Sequence, residues 1–147
     1  MELSAKHNAL RCVIVTPEKA LIDETCDFIA VPMYDGELGV LPGRLPVIGR
    51  LGFGELRTKK GEIVHRYFVD GGFVQIKNNV VTVLTSKAQK GVEINETQIA
   101  SGIESAQKHV GEPGGQDLLL KAQERVRAQK RVARNANPEK VLSLEGH

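Results

Sequence analysis

Hydrophobic and polar positions change rhythm near residue 91. Before it, short β-branched runs recur at regular spacing. LRCVIVT (residues 10–16) stops at Pro17, and KALID, CDFIAVP, GELGVL and PVIGRL follow, separated by short turn-forming segments. GELRTK and EIVHRYFV flank Lys60-Gly61, while FVQIK and VVTVL flank Asn78-Asn79. Asparagine tolerates the positive φ that a two-residue hairpin turn requires. Regular strands with turn signals predict an N-terminal antiparallel β-sandwich over residues 1–90. Asp70-Gly71-Gly72 predicts a bend or bulge.

After Gly91 the period becomes helical. Asn95 is a good N-cap with Gln98 three residues on, the pattern of a capping box. Ile99, Ile103, Ala106 and Val110 then share one helical face. The run from Gly111 through Glu112, Pro113 and Gly114 to Gly115 breaks the pattern, and a second helix is expected over residues 116–135, before Asn137-Pro138. A short connection makes the two helices an antiparallel hairpin. The chain therefore reads as mainly β plus α: sandwich 1–90, helical hairpin 91–137 and a tail at 138–147 expected to be disordered. In the second helix the apolar stripe is Leu119, Ala122, Val126 and Ala133, interrupted by Gln129. So little apolar area, with like charges at i,i+4, predicts weak docking and easy detachment.

Composition changes this picture in one respect. The 147 residues carry +2 overall, but residues 117–134 hold six basic side chains against two acidic ones, so that stretch is +4 and the remainder −2. A partner that reads positive charge should look near the C-terminus. No apolar run approaches a bilayer span, and the start lacks the apolar core of a secretory signal, so a chain without a direct membrane span is expected. Cys12 and Cys26, in apolar contexts without C-x-x-C spacing, read as small buried hydrophobes.

Chemistry is hard to find. No phosphate-loop or dinucleotide motif is present, since Gly52-Phe53-Gly54 continues without a third glycine. His7, His65, His109 and His147 lack metal-ligand spacing. No nucleophile elbow occurs, and Ser105 and Lys108 form an isolated S-x-x-K on a helix. No catalytic residue, metal or cofactor is expected. The stretch DGELGVLPGRLPVIGRLG (residues 35–52) reads as a shaped surface better than as a phosphate cradle, which lacks its Lys-Ser/Thr. The basic helix fits a solvated face, an acidic protein partner or RNA, although no aromatic residue interleaves with its charges. A free-standing β-sandwich binding module with a basic hairpin for RNA is one alternative. An active site assembled from dispersed residues is another.

GELGVLPG (residues 36–43) with Pro46, Leu51 and Gly54, and VDGGFVQIKNNVVTVLTSKA (residues 69–88), resemble two blocks of the epsilon subunit of bacterial F-type ATP synthases. The resemblance runs over residues 10–135. It implies a ten-stranded sandwich with a C-terminal two-helix hairpin. It also implies a non-catalytic central-stalk subunit that couples proton flow to rotation and ATP synthesis. Such a subunit lies peripherally on the cytoplasmic face of the bacterial inner membrane, binds the gamma subunit and sits on the membrane-embedded ring. By the same resemblance Glu37 falls at the ring contact, and Leu38 is grouped with Glu37 and Arg44 as a ring or gamma contact. Arg44 falls beside gamma, where the family more often has His, and Leu45 replaces a usual Ala. The family's hairpin extends transiently to the acidic surface of the catalytic head and brakes ATP hydrolysis. Lys121, Arg125, Arg127, Lys130, Arg131 and Arg134 are the matching candidates here. The family's ATP-binding motif in the hairpin has lost its charged pair in Ile94-Asn95-Glu96-Thr97-Gln98-Ile99, which implies weak or no ATP binding.

Overall fold

Strand alternation sets the architecture. In the computed structural model, residues 9–137 are described, apart from the side chains of residues 96–98 and 100–102. The expected tail at 138–147 and the Gln98 half of the capping box lie outside the described residues. Eight strands occur among the described residues: β1 Leu10–Val15, β2 Ala20–Cys26, β3 Phe28–Met33, β4 Gly36–Val40, β5 Val47–Lys60, β6 Ile63–Lys77, β7 Val80–Leu84 and β8 Ala88–Lys90. A 3₁₀ turn over Gly91–Glu93 leads to α1 (Glu96–Gln107) and α2 (Gly115–Ala136).

The ten strands implied by the resemblance become eight because two of them run on. PVIGRL and GELRTK merge into β5, and EIVHRYFV and FVQIK merge into β6. These long strands pair from Val47↔Ile76 through Leu51↔Gly72 to Lys60↔Ile63 and serve both layers. One layer holds β2, β1, β7, the second half of β6 and the first half of β5. The other holds β8, the first half of β6, the second half of β5, β3 and β4. The crossing point is at Gly72, whose φ is +116° and where a Cβ would lie 1.9 Å from the Leu84 carbonyl oxygen. No side chain fits there, so the sheet can fold across itself only with glycine. Asn78 and Asn79 have φ of 52° and 63°, the left-handed pair expected of the β6–β7 turn. One pairing departs from the antiparallel expectation: β1 and β7 run parallel, joined by the long excursion through the other layer.

Inward positions build the sandwich core from Leu10, Cys12, Ile14, Ile29, Val31, Val40, Leu51, Leu56, Val69, Val74, Ile76, Val81 and Val83. Tyr67 and Val69 belong to that core. Phe68 lies between them and must face the other way. It is fully buried, and what covers it is the hairpin: Ile94, Ile99, Val126, Ala128, Val132 and Ala133 close a second core over its ring.

The helices form where periodicity places them. Asn95 precedes α1 and its carbonyl accepts the Ile99 N–H at 3.3 Å. Val110 lies past the end of α1, in the turn. The stripe on α2 differs from the expected one. Leu119 is half-buried, whereas Val126, Ala128, Gln129, Val132 and Ala133 are buried. The α2 face is thus rotated to admit small residues against the sheet. Gln129 joins it because its Nε2 donates to Gln89 Oε1 at 2.8 Å, which removes the cost of burying an amide.

Candidate interaction surfaces

The two outer faces of the sandwich are treated differently by the chain. On the β8–β6–β5 face, polar ties surround the Phe68 cluster. Asn137 Nδ2 donates to the Gly91 carbonyl at 3.3 Å, and Asn135 Nδ2 donates to Glu55 Oε2 at 3.0 Å. Arg125 Nε stands 2.8 Å from Asp70 Oδ2 without an aligned hydrogen bond, and its guanidinium lies 5.9 Å from the Phe53 ring centroid. The expected weak apolar contact is therefore supplemented by directional contacts that the helical pattern did not reveal.

The opposite outer face has no such cover within the described residues. β5 and β6 turn Leu51 and Val74 inward, so Ile48, Arg50 and Phe73 point out, and β7 adds Leu84 in register with Phe73. Ile48 is 80% exposed, Phe73 60% and Leu84 52%. Grouped apolar side chains at that exposure mark a contact surface more often than a solvated one. Arg50 lies 4.4 Å over the Tyr34 ring.

Leu45 leads from this face into the loop 41–46, where Pro42 and Pro46 stiffen the chain. The Gly43 N–H donates to Asn79 Oδ1 at 2.7 Å, and the Arg11 N–H donates to the Asn79 carbonyl at 2.8 Å. The β6–β7 turn thereby pins the loop. Gly39, Leu41, Gly43, Arg44, Leu45 and Val47 line an open groove of about 570 Å³, bounded also by the two prolines.

The resemblance-based residues separate into three places. Arg44 is exposed in that groove. Leu38 is half-buried against the sandwich core. Glu37 is exposed on the hairpin-bearing layer, chelated by Arg57 at 3.0 and 3.1 Å. On α2, Lys121, Arg127, Lys130 and Arg131 are exposed, while Arg125 and Arg134 are half-buried. Lys121 pairs with Asp117 at 3.4 Å and Arg125 with Asp70. The six basic residues therefore do not form one free surface in this docked arrangement.

Sequence reading missed one polar cluster. Glu24 Oε1 accepts Thr58 Oγ1 at 2.6 Å and Tyr67 OH at 3.4 Å, and Glu24 Oε2 lies 3.2 Å from His65 Nδ1. The residues come from β2, β5 and β6, so only the register brings them together. The cluster ties β2 to the facing layer. Burial pushes the Tyr67 hydroxyl up, helped by the Glu24 charge. Burial likewise raises the thiols, Cys12 strongly and Cys26 to about 11, so neither is a ready nucleophile. Among the described residues no group of three or more His, Cys, Asp or Glu could hold a metal ion, and no helix is long and apolar enough to cross a membrane.

Among the described residues the fold is thus a two-layer sandwich with one outer face capped by a helical hairpin and the other carrying exposed Ile48, Phe73 and Leu84. A family profile described as ATP synthase, Delta/Epsilon chain, beta-sandwich domain matches residues 9–91, more than half of the chain. The protein belongs to the ATP synthase delta/epsilon family. An ATP synthase epsilon chain from Rhodopirellula baltica is 56% identical over 80 residues, covering 54% of this chain and 62% of that one. Epsilon chains from Desulforamulus reducens and Syntrophobacter fumaroxidans are 34% identical over 106 residues and 31% over 132. Those matches cover 72% and 90% of this chain and 80% and 97% of the relatives. The chain spans less than two thirds of the length of the Rhodopirellula relative and of one from Nitratidesulfovibrio vulgaris, 62% and 65%. The fold is shared with a chain of the Euglena gracilis mitochondrial ATP synthase, at TM-score 0.64 and 20% identity over 84% of this chain and 78% of that one. It is also shared with a chain of the Tetrahymena thermophila mitochondrial ATP synthase central stalk and c-ring, at TM-score 0.57 and 13% identity over 84% and 96%.

Proposed function

We propose that the chain is a non-catalytic central-stalk subunit of a proton-translocating F-type ATP synthase. In this reading the sandwich passes torque between the gamma subunit and the membrane ring, and the hairpin restrains ATP hydrolysis. The observation that carries the reading is the group of exposed apolar side chains Ile48, Phe73 and Leu84 on the uncapped face, with exposed Leu45 in the loop that precedes β5. A face of this kind suits the apolar core of a permanent protein interface. Gamma is the partner assigned to it, with Arg44 at its border, and Glu37 and Leu38 are assigned to the ring.

The hairpin is the regulatory part. Docked, it hides Phe68 and engages Arg125 with Asp70. Extended, it would offer all six basic residues to an acidic surface on the catalytic head. Exposed pairs contribute little one by one, so the restraint is collective and salt-sensitive. The assembly is peripheral, on the cytoplasmic face of a bacterial inner membrane.

Truncation after Lys90 tests this reading. It leaves the apolar face intact, so the complex should still assemble, and ATP hydrolysis should rise. Equal hydrolysis by truncated and full-length complexes would remove the brake from the account. Failure of the truncated chain to assemble would remove the division of labour between the two parts.

A further inference from the structure

Glu37 and the hairpin are joined by a line of ion pairs that ends in an amide–carboxylate hydrogen bond. Arg57 holds Glu37 with both Nη atoms, and its Nη1 is also 3.6 Å from Glu55 Oε1. Arg66 Nη1 donates to the same Glu55 oxygen at 2.7 Å. The other Glu55 oxygen accepts Asn135 of α2 at 3.0 Å. Glu55 is the inner member of the line: its side chain is 13% exposed, against 51% for Glu37. The β5–β6 register puts Glu55 beside Phe68, at the border of the hairpin's footprint.

This arrangement has an electrostatic consequence. A docked hairpin covers the Glu55 carboxylate, and covering a charge is unfavourable unless opposite charge is close. Arg66 compensates Glu55 directly at 2.7 Å, while Arg57, shared between two carboxylates, lends Glu55 only part of its charge. Each carboxylate oxygen has room for a second donor, so Arg57 could turn fully onto Glu55 without displacing Asn135. Whatever draws Glu37 away from Arg57 therefore makes the covered Glu55 less costly.

We infer that Glu37 and Arg57 form a relay that tunes hairpin docking through Glu55: capture or neutralisation of the Glu37 carboxylate tightens the docked hairpin. The relay is internal to the chain, so it can be tested on the isolated protein whether or not the assembly reading holds. If Glu37 does meet the membrane ring, as proposed above, ring contact and a stowed hairpin favour each other.

Spin labels at Lys77→Cys on the sandwich and Lys130→Cys on α2, in the full-length chain, resolve docked and undocked populations by their distance distribution. The expected result is that Glu37→Gln raises the docked-to-undocked ratio about threefold and Arg57→Ala lowers it, within the usual range of coupling between charged neighbours. In the Glu55→Gln background, Glu37→Gln should have no effect. Arg57→Ala, on a partly exposed side chain, gives a second background in which Glu37→Gln should also be silent. A Glu37→Gln effect that is absent, reversed, or unchanged in the folded double variants overturns the relay.

Discussion

Val132→Ala tests the hairpin contact at its centre. Val132 is 1% exposed and belongs to the cluster over Phe68, and it also packs beside Gly91, where an added Cβ would lie 3.2 Å from Val132 Cγ1. The substitution removes two buried methyl groups, about 1.6 kcal/mol at ~0.8 each. The tight fit against Gly91 limits collapse, which adds roughly 0.5 kcal/mol for the space left behind. Alanine returns up to ~0.6 kcal/mol through its helix propensity. The net of about 1.5 kcal/mol lowers the docked-to-undocked ratio roughly tenfold. The label pair on Lys77 and Lys130 reads that ratio directly. The thermal midpoint of the sandwich should stay within a few degrees of the parent, because Val132 is outside its core. In the assembled complex, a hairpin released more often should brake hydrolysis more. An unchanged distance distribution, or a sandwich that loses stability in step with the hairpin, would refute the two-core reasoning.

Three further perturbations probe other parts of the account. Gly72→Ala should cost ~3 kcal/mol or prevent folding, measured by urea unfolding, because the new Cβ meets the Leu84 carbonyl at 1.9 Å and φ is +116°. The thiols give a pH dependence of defined sign. Burial holds Cys26 protonated to about pH 11, whereas an unfolded thiol ionises near ~8.5. Between those values the folded state keeps a proton that the unfolded state loses, so stability falls as pH rises and the thiol is neutral in its effect below ~pH 8. Unfolding of parent and Cys26→Ala at pH 7, 9 and 10.5 under reducing conditions should show the shallower decline in the variant. Lys130→Glu with Arg131→Glu, both exposed, should change the stability of the isolated chain by less than ~0.5 kcal/mol. The same pair should weaken inhibition in the complex, most clearly at low salt.

The strands and both helices were legible because each rests on a local period: alternation in VVTVL and the 4-3-4 spacing from Ile99. The Asn78-Asn79 turn was legible because its chemistry is local. What escaped is set by register and docking angle. Continuity of β5 and β6 through their glycines is not a local property, so their halves read as separate strands. Phe68 looked like any strand aromatic until β6 gave it a partner on the outer face. The α2 stripe was misplaced because Ala128 and Val132 owe their burial to the angle at which the helix meets the sheet, and Gln129 owes its own to Gln89. The Glu24 cluster and the Glu37–Arg57–Glu55 line join residues that only pairing across strands brings together. Of the resemblance-based residues, Arg44 is presented openly and Glu37 is half-committed to Arg57, a distinction that sequence could not make.

The most direct measurement is recovery of the tagged full-length chain from membranes of its native cells. The parent should bring with it a gamma-type coiled-coil subunit and ring subunits, and Ile48→Asp with Phe73→Asp should elute without gamma while remaining folded. Elution of the parent alone, or gamma retained undiminished by the doubly charged face, would contradict the account.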